Sequence, residues 1–374
     1  MSDPKYRLQL FKFADPTGGT DFGYGDLLAE FPNAKHLGYA TYLNDVGESF
    51  CTLNQDDSAL SALRGYEGRC HMRIYRGTDL MWNGWGALET DANEEDVILY
   101  GYGYEAGLYW SLSDWNVQYQ TSQIDTIVTA AWTRAKTTLS HSTLGFVTTG
   151  TIEAPVTTSG GATALVLPKY SMFYKRLLYV LREMCAISMS DTTNNVVFEI
   201  TNSTTPTFNF WKDAGTDRSA SVIWTWGGPE IAKFRAYGQP VYHRNDYYAV
   251  GSSPNNSALR KTGEDATDLD TWGRRTEALY MSWVRDATEL EGAAKFRASR
   301  ALRDITDLTL RFYPNTMIPA GATGATYAQA DTVHVHVDRG LTNVDTNLLV
   351  SGQQVLWTGG AEHVNVLLQD RGGS

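Results

Sequence analysis

Cysteine is scarce in this chain of 374 residues: Cys51, Cys70 and Cys185 are an odd number and form no C-x-x-C pair. That excludes a disulfide framework and the paired-thiol redox and zinc motifs. Cys51 and Cys70 stand in alternating apolar stretches, so buried free thiols in a reducing compartment are expected. There is also no apolar run near the roughly 18 residues that cross a bilayer, and residues 1–7 lack the apolar core of a secretion signal. The chain is therefore expected to be made and kept in a cytoplasm, with no membrane segment. Basic residues are in deficit, 31 against 42 acidic ones for a formal charge of −11. Such a surface repels the phosphate backbone on balance, which disfavours DNA binding. No G-x-S-x-G, H-E-x-x-H or cysteine-nucleophile context occurs. Gly101-Tyr-Gly-Tyr-Glu-Ala-Gly107 follows a predicted strand but opens no helix at a Lys-Ser/Thr pair, so it is not a phosphate cradle. No catalytic residue and no cofactor is assigned, and the expectation is a protein that is not an enzyme.

What the chain does contain is enough apolar material for a core, 42% of residues, of which 12% of the chain is aromatic. Its length exceeds one ordinary core, so two to four domains are expected. The Trp and Tyr residues are spread along the chain and not clustered, which favours packing over a ligand-stacking surface.

In the first hundred residues apolar and polar positions alternate in short runs, predicting strands at 6–13, 47–53, 69–75, 80–88 and 97–104 in an up-and-down meander. Gly77-Thr78-Asp79 predicts a hairpin, and the acidic stretch from Asp91 to Asp96 an exposed turn. Residues 57–63 predict one helical turn with Ser58 as its cap. Ile124, Ile127, Val128, Ala131 and Trp132 fall on one helical face. The Thr/Ser/Gly/Ala-rich stretch 148–163 has no period and predicts a loop. A second stripe, Phe173, Leu177, Leu178, Leu181, Met184 and Cys185, predicts a helix over 170–189, followed by strands at 196–200 and 207–212. Residues 285–305, rich in Ala, Glu, Arg and Lys, predict a third helix. Strands return at 308–312, 332–337, 348–357 and 363–368. The fold class is thus α+β and β-dominated, with two small antiparallel barrel-like domains (1–105 and 307–374) flanking a mixed domain (106–230) and a linking region of strands and helix (231–306).

The two ends echo each other. Cys70-His-Met-Arg-Ile-Tyr-Arg-Gly77 and Thr332-Val-His-Val-His-Val-Asp-Arg-Gly340 are alternating strands ending in Arg-Gly, each followed by a crossing strand, a turn and a further strand.

On these residues the chain resembles the tail hub, or baseplate hub, proteins of tailed bacteriophages. Residues 47–54, the turn at 59–63 and the hairpin 73–84 look like a first hub barrel. Residues 170–189, 198–200 and 208–212 look like the second hub domain, and 272–277 with 331–368 like the return into the final barrel. The segment 142–163 matches no hub part. The resemblance implies a homotrimeric ring whose two barrels per subunit make six, joining a threefold tail tip to the sixfold tail tube. It also implies a virion-tail location and neighbours of the distal tail, tape measure and tail-tip or receptor-binding classes. DNA would pass through the ring without being bound, in keeping with the acidic balance. Val333, Val335, Val337, Val364, Val366 and Leu368 are the candidate assembly residues, on strand faces meant to be buried.

Two constellations compete with the structural reading. His334 and His336 share one strand face, with Glu362 and His363 on a predicted neighbouring strand, a set zinc would accept. A polar strand face explains them equally well, and no metal is assigned. Glu89, Asp91, Glu94, Glu95 and Asp96 could supply paired carboxylates for glycoside hydrolysis, but consecutive acids in an open turn lack the rigid, dry setting that separates two carboxylate pKa values. A carbohydrate-binding or carbohydrate-degrading β protein, with Trp and Tyr as sugar platforms, is the alternative function.

Overall fold

A computed structural model describes residues 5–370, apart from 15–21, 88–95, 113–116, 156–163, 192–195, 238–244, 252–257, 282–286, 301–306 and shorter stretches elsewhere. The acidic positions 89–95 and the second half of the 148–163 segment lie outside the described residues.

The first part is all strand: β1 (Tyr6–Phe13), β2 (Tyr24–Phe31), β3 (His36–Tyr42), β4 (Glu48–Asn54), β5 (Cys70–Arg76), β6 (Asp79–Ala87) and β7 (Asp96–Gly103). The middle is mixed: α1 (Ala106–Trp110), β8 (Gln118–Gln123), α2 (Ile124–Thr133), β9 (Thr148–Ile152), β10 (Val166–Ser171), α3 (Leu177–Asp191), β11 (Val197–Ile200) and β12 (Thr207–Trp211). Then come β13 (Ile223–Thr225), β14 (Ile231–Tyr237), β15 (Asp246–Gly251), β16 (Leu259–Glu264), β17 (Thr276–Met281), α4 (Ala287–Arg300), β18 (Asp307–Phe312), β19 (Thr332–Arg339), β20 (Thr342–Thr358) and β21 (Ala361–Asp370). The class is α+β and β-dominated.

The two ends do not form separate sheets. One 13-stranded sheet runs β14-β18-β21-β20-β3-β4-β7-β6-β5-β1-β2, with β19 beside the first half of β20 and β13 beside β19. The seam is β20, which pairs β19 through residue 349 and β3 from Gly352 onward. The change of partner falls at a bulge between Val350 and Gly352. Glycine is required there, because a Cβ at 352 would stand 2.6 Å from the Thr41 carbonyl oxygen.

The sheet curls. β5 and β21 are six places apart in the strand order, which in a flat sheet is roughly 29 Å. Yet Arg76, the last residue of β5, bonds Glu362 of β21 at 2.8 Å. One apolar core fills the curl, joining Leu8, Leu10, Met72, Ile74 and Trp82 from the first half to Val333, Val335, Val364, Val366 and Leu368 from the last. Among the described residues β2 and β14 remain edges, so the sheet does not close into a barrel.

The predicted meander is correct only for β5-β6-β7. β4 pairs β7 and β1 inserts between β2 and β5. The turn at 58–63 is a 3-10 turn, and Asp57 rather than Ser58 caps it, its Oδ1 accepting from the Ala59 N–H at 3.0 Å. The echoed Arg-Gly hairpins both exist, with Gly77 at φ 60° and Gly340 at φ 63°, conformations glycine adopts without steric cost.

A second core packs α2 and α3 against the small sheet β11-β12-β9, through Ile127, Val128, Trp132, Leu181, Met184, Phe198 and Phe208. Two expectations fail here. Residues 166–171 are a strand paired with β8, so the helix begins at Leu177 rather than 170; Pro168 and the partner strand outweigh the helical spacing of Tyr170 and Leu177. Residues 148–152 are a strand and not loop, held parallel to β12. A third unit packs α4 on β16-β15-β17 through Ala249, Leu290 and Ala294.

Candidate functional site

Val333, Val335, Val337, Val364, Val366 and Leu368 all face the chain's own core, each 0–1% exposed. They cannot touch another subunit in this fold. Alternation correctly marked a buried face, but alternation does not say whether a core or a partner covers it.

His334 and His336 lie on the opposite, solvent face of β19. His334 Nδ1 is 2.9 Å from Asn347 Oδ1 and its Nε2 2.9 Å from Asp345 Oδ1, both on β20. His336 Nδ1 is 3.5 Å from the same Asp345 oxygen. Neither joins Glu362, which is engaged inside the curl. Among the described residues no three His, Cys, Asp or Glu side chains converge as a metal cage.

Glu362, on β21, is the buried centre of the contact that closes the curl, 1% exposed. Arg76 grips it with two nitrogens, Nε at 2.8 Å and Nη2 at 3.2 Å, and Tyr6 Oη donates to it at 2.5 Å. Tyr6 and Arg76 are register partners on β1 and β5, so these two strands together close on β21, the last strand of the chain. Burial, then the charges around them, push the Tyr6 and Tyr39 hydroxyls well above the ordinary tyrosine range, so both stay protonated. The three thiols are buried free cysteines; burial alone pushes Cys70 up to about 12 and raises Cys51, and it outweighs a backbone hydrogen bond in raising Cys185.

Where the large sheet meets the second core there is a polar cavity of about 40 Å³. Its walls come from the β3–β4 turn, β6, the end of β7, β11 and Gln329. Glu105, at the start of α1, accepts from the Ile200 N–H at 3.2 Å. Burial pushes its carboxyl up to about 7, and the charges of Glu199 and Asp45 add to this, against backbone hydrogen bonds. Burial also raises Glu199, opposed by a hydrogen bond from Asn209. The sequence offered no signal for this pair, since Glu105 and Glu199 are 94 positions apart in unrelated motifs. Most large aromatics serve packing: Phe13, Tyr24, Trp85, Tyr104 and Phe146 enclose the buried His71. Among the exposed large side chains, Tyr109, Trp110, Leu112 and Tyr179 lie close in the second unit, with the Arg176 guanidinium 3.9 Å over the Tyr109 ring and the Tyr109 and Tyr179 rings 6.0 Å apart.

No family model matches the sequence, and no curated protein does. Solved structures do. The 43 kDa tail protein of prophage MuSo2 from Shewanella oneidensis superposes with a TM-score of 0.65 at 9% identity, over 98% of both chains. This chain has the fold of a prophage tail protein. A tail protein from Neisseria meningitidis MC58 gives 0.63 at 12% identity, over 98% of this chain and 97% of that one. Prophage tail protein gp18 from Listeria monocytogenes EGD-e gives 0.54 at 10% identity, over 98% and 95%. The likeness covers all three cores together, so this tail-protein fold is a property of the whole chain and not of one segment.

Proposed function

We propose that this chain is a structural component of a phage-type tail, a baseplate or tail-tip hub that forms a homotrimeric ring between the tail tip and the tail tube. The observation that carries this reading is the end-to-end match with prophage tail proteins, in which both chains are covered almost completely. The paired hairpins at Gly77 and Gly340, one in each half of a single curled sheet, are in keeping with the two similar units per subunit that a threefold ring meeting a sixfold tube requires. The acidic balance suits a channel that passes DNA without holding it. Its neighbours would be distal tail, tape measure and tail-tip or receptor-binding proteins.

No enzymatic role is proposed. The half-buried carboxylates Glu105 and Glu199 line a cavity of about 40 Å³, against the several hundred typical of substrate pockets. Carbohydrate binding is the second reading, and the exposed rings of Tyr109, Trp110 and Tyr179 are the feature that favours it. Size-exclusion chromatography with light scattering separates the two. A trimer or ring is expected; a monomer that binds polysaccharide would overturn the hub reading.

A further inference from the structure

We infer that β14 is the strand by which one subunit joins the next: its open edge continues the sheet of a second copy of this chain, where β5 leaves β6. The inference rests on the ring reading above and names the joint that would make such a ring.

Two five-stranded runs of the large sheet have the same plan. β3-β4-β7-β6-β5 and β14-β18-β21-β20-β19 are each a series of antiparallel neighbours. In chain order both run first, second, fifth, fourth, third, and in both the third and fourth strands form the Arg-Gly hairpin, at Gly77 and Gly340. β14 therefore answers to β3, and β20 to β6.

The chain also shows how one copy of this plan joins another. β19 holds one edge of β20 as far as Leu349, and β3 takes that same edge from Gly352 to Thr358, while β21 keeps the opposite one. The first strand of one copy thus lies on the fourth strand of the other. β6 stands in the place of β20, and β5 accompanies it only to Gly86. The first strand left to fill the equivalent position is β14, whose outer edge is open among the described residues. Repeating the internal joint between chains puts β14 of one subunit on β6 of the next. Such a contact is heterologous, the kind that generates a ring when its rotation closes.

Packing agrees. β3 and β14 are each seven residues long. In β3, which is covered on both edges, the core-side Leu37 and Tyr39 are fully buried. In β14 the core-side Phe234 and Ala236 pack on the same apolar core yet stay half-buried, with exposed Lys233 and Arg235 alternating on the other face. A strand laid along the open edge would finish covering them. Its N–H and C=O groups would also find partners, since an edge of this length is a template for strand addition.

Proline tests the edge. Successive N–H groups of an antiparallel strand point to opposite sides, so of Arg235→Pro and Ala236→Pro one removes a bond to β18 and the other only an outward N–H. The full-length variant that keeps the wild-type circular dichroism is the probe, and light scattering should find it a monomer where the wild type is a ring. A folded proline variant of the outward kind that assembles as the wild type does would overturn this joint and leave the ring reading standing. Wild-type protein that stays monomeric at every concentration would overturn both. Hydrogen exchange on the wild-type ring is the second readout and decides if neither variant folds. Amides across 231–237 should all be protected, the outward ones by on the order of 100-fold or more; alternate amides exchanging as an open edge does would overturn the joint.

Discussion

Replacing Arg76 with alanine tests the contact that closes the curl. The substitution leaves Glu362, 1% exposed, with the Tyr6 hydroxyl but without its counter-charge. Removing one partner of a fully buried pair costs about 3–5 kcal/mol. The Arg76 side chain is 21% exposed, and the space it vacates admits water, which places the cost near the low end, about 3 kcal/mol. The reverse substitution, Glu362→Gln, should cost less, about 1–2 kcal/mol, because the guanidinium left behind can reach solvent. The double variant should recover much of the Arg76→Ala loss, since a neutral amide at 362 no longer needs a cation. Urea unfolding followed by tryptophan fluorescence reads these as shifts in midpoint at unchanged slope. If both single variants cost under about 1 kcal/mol, as an exposed ion pair would, the curl is not held by this contact and the reasoning is wrong.

Stability should also depend on pH through Glu105. Its folded-state pKa of about 7 lies above the ordinary 4.5, so the folded protein holds that proton more tightly. The resulting stabilisation is complete below about pH 4.5 and is lost as pH rises through 7, on the order of 3 kcal/mol in total. Thermal melts from pH 5 to 8 should show this slope, and Glu105→Gln should flatten it. The three buried thiols should resist iodoacetamide in the native state and all react in denaturant. Gly352→Ala drives a Cβ to 2.6 Å from the Thr41 carbonyl and should cost about 1–3 kcal/mol in urea unfolding. Val335→Asp should abolish soluble folded protein rather than yield a folded monomer, because Val335 lies in the core; recovery of a folded monomer by chromatography and circular dichroism would show otherwise.

Much of the fold was legible where the chemistry is local. β1 has the bounds its pattern predicted and alternates from Tyr6 to Phe11, and the core face of β19 and β21 was readable from Val333 to Leu368. β3 was missed because His36–Tyr42 is buried on both faces in its middle, which erases alternation. β9 was missed because Thr148–Ile152 is mostly exposed and polar, and becomes a strand only through the partner β12 supplies. Long-range pairing left no trace in the sequence: nothing near Arg76 or Tyr6 announces Glu362, some 290 to 360 positions away. The Glu105 and Glu199 cavity is hidden for the same reason. The resemblance to tail proteins rested on the order of parts, which survives at about a tenth identity because curled sheets tolerate substitutions that keep volume and alternation.

The proposed role in a tail rests on ring formation. Electron cryo-microscopy of the purified protein, at a concentration where light scattering shows a single species, tests this directly. Class averages should show a closed threefold ring with two similar lobes per subunit, six around the opening. Dispersed monomers, or a ring built from any other number of chains, would contradict it.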